Sequence, residues 1–96
     1  MKKFMFLYVG SQDPTQDVMD GWTKWFSTFG DKVVDGGNPF GAGKEFSKSG
    51  VKDLALGPDA ISGYTIINAA DMDEALAILN TCPVLTSVRV YECIPM

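Results

Sequence analysis

Three acids in this chain fall where a pocket mouth could open. Asp35, Asp59 and Glu92 lie nearest to predicted strand ends and turns. A carboxylate whose pKa is raised by burial can take or give a proton. Asp35 and Asp59 are therefore the candidate catalytic groups. The plainer reading makes Asp59 ordinary turn chemistry after Gly57-Pro58, and Asp35 a charge at a strand end. Arg89 and Tyr91 share one face of the last predicted strand, and Tyr8 and Tyr64 are candidates to join them. These four could hold an anionic or aromatic ligand, because arginine grips a carboxylate bidentately. The competing reading pairs Arg89 with an acid across a dimer.

Several chemistries are excluded or weakened by what the chain lacks. It has no histidine, the default general base near neutral pH and the commonest metal ligand. Cys82 and Cys93 are too few and too far apart for a zinc knuckle or a disulfide framework. They read as free thiols in a reducing, cytoplasmic setting. Gly36, Gly37, Gly41 and Gly43 do not form a phosphate loop, since no Gly-Lys-Ser/Thr ending or helix follows. No metal and no cofactor is expected. Twelve acidic residues against eight basic give a net charge of −4, which argues against a nucleic-acid surface. Met1-Lys2-Lys3 and the apolar run Phe4–Val9 imitate a signal peptide. That run is too short and lacks a cleavage site, so it reads as a strand. Nothing is long enough to span a membrane.

The elements that must position these residues follow from periodicity and capping. The 96 residues are read as one domain, 46% hydrophobic, with an adequate core and little to spare. Residues 3–9 form a first strand, with Phe4, Phe6 and Tyr8 on one face and Met5, Leu7 and Val9 on the other. Asp13 as N-cap, Pro14 and Gln16 start a helix that runs to Phe29 and stops at Gly30. Its apolar stripe is Val18, Trp22, Trp25, Phe26 and Phe29, which reads as core. Gly21 inside it costs up to about 1 kcal/mol relative to Ala and implies a close neighbour. Residues 32–35 form a short strand, and the glycine-rich segment to Gly50 is read as an exposed loop. Residues 51–56 resume as a strand that turns at Gly57-Pro58-Asp59.

The strongest local signal is residues 57–81. Ile61 to Asn68 is a strand centred on Tyr64, Thr65, Ile66 and Ile67. Asp71 then caps a helix, with Glu74 three residues on and Met72, Ala75, Leu76 and Leu79 as its apolar side. Residues 87–94 form the last strand. This order is an α+β ferredoxin-like plait, βαββαβ with an extra hairpin strand, whose helices cover one sheet face. The first strand is apolar on both faces, so the second face needs a partner. Two sheets packed face to face, a homodimeric α/β barrel, would supply it. The covered face is expected to be filled by the Trp22 stripe, Leu76 and Leu79. Any pocket is then expected where the sheet curls away from helix one or between the two sheets.

Val34-Asp35-Gly36-Gly37-Asn38-Pro39-Phe40-Gly41, Gly63-Tyr64-Thr65-Ile66-Ile67 with Asp71 to Ala75, and the closing Glu92-Cys93-Ile94-Pro95-Met96 together cover nearly the whole chain. In them the chain resembles the YCII-related family, which includes the DGPF-type proteins. The resemblance implies a dimeric α/β barrel in a small bacterial cytoplasmic protein. Better-studied members carry a His–Asp pair proposed as catalytic, and this chain has no histidine to match it. The Asp-Gly-Pro-Phe motif is also absent, with Gly57-Pro58-Asp59 near where it would fall. Two functions remain. One is a homodimeric binding or accessory module for a small apolar or aromatic, potentially anionic, molecule or a partner protein. The other is a cofactor-free enzyme that uses an Asp with Arg or Tyr for proton transfer.

Overall fold

The computed structural model describes residues 1–10 and 15–96. In chain order the elements are strand β1 (Lys2–Val9), helix α1 (Gln16–Phe29), strands β2 (Val33–Asp35), β3 (Gly43–Ser47), β4 (Gly50–Leu54) and β5 (Ile61–Ala69), helix α2 (Met72–Ile78) and strand β6 (Ser87–Cys93). Four strands make an antiparallel sheet in the order β2-β5-β1-β6, which is the ferredoxin-like plait.

Register fixes which side chains face the helices. Phe4, Phe6 and Tyr8 of β1 stand opposite Ile67, Thr65 and Gly63 of β5, and opposite Glu92, Val90 and Val88 of β6. Phe4, Phe6 and Ile67 are fully buried and pack with Trp25, Ala75 and Ile78. Trp25 also donates its indole N–H to the Ile78 carbonyl at 2.9 Å, so its one polar group is satisfied. Met5, Leu7 and Ile66 lie half-buried on the opposite face.

Local details of the two helices differ from expectation. The expected cap Asp13 and Pro14 lie outside the described residues; the N-cap of α1 is Thr15, whose hydroxyl accepts from the Val18 N–H at 3.3 Å. The capping box expected between Asp13 and Gln16 likewise lies outside the described residues; the Gln16 amide donates to Asp20 at 2.8 Å. Helix α1 ends at Phe29 with Gly30 as its C-cap, as expected, and Gly30 is right-handed (φ −57°) and opens one further 3-10 turn to Lys32. In α2, Met72 and Leu76 are exposed while Ala75 and Ile78 are buried. The seven-residue helix is therefore rotated from the expected phase.

The Asp71 cap is as expected: its carboxylate accepts from the Glu74 N–H at 2.9 Å, an arrangement worth about 0.5–2 kcal/mol. The neighbour implied by Gly21 is Pro83, whose Cγ would lie 3.0 Å from an added Cβ. The strand expected at 51–56 is β4, Gly50–Leu54, and it does not join the main sheet. It pairs with β3, inside the segment expected to be loop, with Phe46 opposite Val51 and Lys44 opposite Asp53. Lys44 and Asp53 form an ion pair at 2.7 Å, and Phe46 is 87% exposed.

Candidate functional site

On the helix side of the sheet, side-chain size changes along the strands. One end holds Phe4, Phe6 and Ile67 beneath Trp25. At the other end β5 offers only Gly63 and Thr65, beside Tyr8 of β1. Large residues fill the first end and small ones leave volume at the second. A cavity of about 460 Å³ opens there, walled by Val18, Trp22 and Phe26 of α1, by residues 36–40 and by residues 83–85. This corrects the expectation that Trp22 and its stripe leave no room on the covered face: Trp22 overhangs the cavity.

The polar part of the lining is a short chain of hydroxyls. Tyr8 donates to Thr65 Oγ1 at 2.8 Å, and the Thr65 hydroxyl donates to the Gly36 carbonyl at 3.2 Å. Trp22 meets Tyr8 edge-on, with ring centroids 5.0 Å apart, the favoured aromatic geometry. Burial pushes the Tyr8 phenol well above its ordinary value, outweighing the opposing hydrogen bond to Thr65. Tyr8 is therefore a neutral phenol at physiological pH. Nearby, burial pushes the Cys82 thiol up to about 12, so it stays protonated and weakly nucleophilic.

The segment 36–40 forms the remaining wall. Asp35 holds it in place: one carboxylate oxygen accepts from the Gly37 N–H at 2.8 Å, and the other from the Tyr64 hydroxyl at 3.0 Å. The hydrogen bond to Asp35 raises the Tyr64 pKa. Phe40 stacks on Tyr64 at 5.8 Å, and its N–H donates to the Ser62 carbonyl at 2.7 Å. Gly37 adopts φ +76° with its α-carbon against the Tyr64 carbonyl, where any Cβ would overlap that oxygen. Only glycine fits both conditions.

Of the seven residues singled out from sequence, the fold brings together three, and Glu92 pairs with Lys2 at 3.7 Å away from them. Tyr8 and Tyr64 line the cavity, and Asp35 clamps its wall without lining it. Asp59 is exposed in the turn that Ala60 closes onto the Gly57 carbonyl. Arg89 and Tyr91 stand opposite Leu7 and Met5, on the other face of the sheet, and both are exposed. The anionic anchor expected from Arg89 is therefore absent from this cavity. Among the described lining residues none carries a charge. Sequence reasoning missed Thr65 and Gly36, and it offers Trp22 as a cleft wall only second to its reading as core. Thr65 is the one polar residue among the alternating buried positions Gly63, Thr65, Ile67 and Ala69 of β5, and that was its available signal. Among the described residues no group of three or more His, Cys, Asp or Glu could hold a metal, and no helix is long and apolar enough to cross a membrane.

No protein-family profile matches this chain, and no curated protein matches it. Among solved structures it is similar to 5-chloro-2-hydroxyhydroquinone dehydrochlorinase (TftG) from Burkholderia phenoliruptrix AC1100, in complex with 2,5-dihydroxybenzoquinone. The TM-score is 0.57 at 16% sequence identity, over 93% of this chain and 90% of that one. At this identity the likeness shows the fold alone, a ferredoxin-like plait of mixed α+β class.

Proposed function

We propose that this chain, as a YCII-related protein, is a cytoplasmic binding module for a small, uncharged aromatic molecule. The observation that carries this reading is the 460 Å³ cavity under Trp22, aromatic on one side and without a charged side chain among its described lining residues. Its size and apolar character suit a small-molecule site. The solved structure of similar fold holds 2,5-dihydroxybenzoquinone, a single-ring molecule of comparable size that is quinoid and acidic rather than a neutral phenol. Tyr8 and Tyr64 are the ligand-binding tyrosines in this reading. Titration with small phenols should quench tryptophan fluorescence saturably and shift the backbone resonances of residues 8, 22, 37 and 65. Trp22→Ala should abolish both effects. Resonance shifts confined to other surfaces would overturn the proposal.

The same reading includes a homodimer through the open sheet face. A folded monomer of 10.4 kDa exposes about 5,400 Å², whereas this chain exposes 6664 Å². The excess exceeds what one partner hides in a standard interface, about 800 Å², with the β3–β4 hairpin, exposed on both faces, contributing to it beside the sheet face. Met5, Leu7, Ile66 and Tyr91 would meet the second copy, with Arg89 pairing an acid across the interface. Sedimentation at micromolar concentration should give twice the mass of one chain, and Leu7→Glu should halve it. A soluble wild-type monomer would remove the barrel argument.

A second reading, a cofactor-free enzyme, draws on the 3.0 Å Tyr64–Asp35 hydrogen bond at the cavity wall. There Asp35 would exchange a proton with the substrate through Tyr64. It requires a bound molecule that touches this pair, and a liganded crystal structure decides between the two. Asp59 lies outside that geometry.

A further inference from the structure

The hydroxyl chain at the cavity has a direction. The Gly36 carbonyl oxygen can only accept, and the Thr65 hydroxyl has one proton, placed on it at 3.2 Å. Thr65 Oγ1 must then accept at its remaining close contact, which is Tyr8 Oη at 2.8 Å. The single Tyr8 proton is thereby used inside the protein. What Tyr8 Oη has left is lone pairs.

Reversing the chain would take the donor from the Gly36 carbonyl and set two oxygens, that carbonyl and Thr65 Oγ1, 3.2 Å apart with no proton between them. Thr65 is 1% exposed, so its hydroxyl has no ready water partner in place of these two contacts. The edge of the Trp22 ring against Tyr8 holds the phenol in place.

We propose that the cavity recognises its ligand through a hydroxyl group that donates to Tyr8 Oη, so that phenols are taken and their methyl ethers refused. This deepens the reading of the cavity as an aromatic-binding site and rests on it. The ligand enters as a neutral phenol, because a phenolate would bring an oxygen with no proton to an oxygen that can only accept. Tyr8 contacts the ligand, and Thr65 is a positioning residue that orients the Tyr8 proton.

The test compares 4-ethylphenol with its methyl ether, 1-ethyl-4-methoxybenzene, by calorimetry or chemical-shift titration on the full chain. The phenol should bind roughly 2- to 12-fold tighter, the range of one neutral hydrogen bond. Tyr8→Phe should bring the two affinities together by weakening the phenol alone. Thr65→Val, close in volume, should also collapse the ratio, because it frees the Tyr8 proton to meet an ether oxygen. A purely structural role for Thr65 would weaken both probes equally and keep the ratio. Equal binding of both probes to the wild type, or a ratio unchanged in Thr65→Val, overturns the proposal and leaves the aromatic cavity standing. Binding of neither probe overturns both together.

Discussion

Trp25→Ala should leave the chain largely unfolded at room temperature. The indole is 1% exposed, lies against Phe6, Phe26 and Phe29, and donates to the Ile78 carbonyl. Truncating a buried tryptophan costs about 3–5 kcal/mol, and the orphaned carbonyl adds about 1–3 kcal/mol if water cannot reach it. A domain of this size has about 5–15 kcal/mol in total. Loss of cooperative thermal unfolding by circular dichroism is the expected result. Trp25→Phe keeps most of the ring but loses the bond to Ile78, so it should fold with a lower midpoint. A Trp25→Ala variant within a few degrees of wild type would show that α1 is not anchored through this residue.

Gly37→Ala is the second large effect, and it acts on backbone. At φ +76° a side chain is already strained by about 1–2 kcal/mol, and here the added methyl also overlaps the Tyr64 carbonyl. A backbone oxygen in a central strand cannot swing aside as a flexible side chain can. The segment 36–40 must therefore lift from β5. The Phe40–Tyr64 stack, the Asp35 clamp and the Gly36 acceptor for Thr65 all lie on or against it. Stability should fall by at least about 2 kcal/mol, and binding of small phenols should be lost even at temperatures where the variant is folded. Chemical denaturation and fluorescence titration measure the two effects separately. Preserved affinity in a folded Gly37→Ala chain would show that this wall is not part of the site.

How far the sequence reveals this molecule varies by element. Strand β5 and the Asp71 cap are legible because their signals are local: β-branched residues in a row, then a carboxylate placed to accept from an N–H three residues on. The phase of α2 is not, because a seven-residue helix makes barely two turns and Leu76 can be assigned to either side. Thr15 and Asp13 are both good caps, and local pattern does not choose between them. Strand β3 escapes because alternation marks a strand only when one face is buried, and both faces of the β3–β4 hairpin are exposed. The cavity is least legible of all. Its hydroxyl chain joins Tyr8 to a threonine 57 positions away, and its volume comes from the smallness of Gly63 and Thr65 opposite Trp22. Arg89 was placed by type rather than by side, and the register of β6 puts it on the face away from the cavity.

The position of β1 in the sheet also sets the order in which this molecule can form. It is central in space yet early in the chain, and its partners on both edges, β5 and β6, come from the last third of the sequence. Until residues 61–69 arrive, the amides and carbonyls of Phe4 to Val9 have only water for partners, and their apolar side chains have no second strand to lie beside. Folding must close loops of many tens of residues before any ladder bond offsets the lost chain entropy. That makes the topology a slow one for its length. The step that joins Tyr8 to Thr65 is the same step that pairs β1 with β5, so the cavity does not exist before that pairing forms. A ligand taken up there would in this sense report the closing of the sheet.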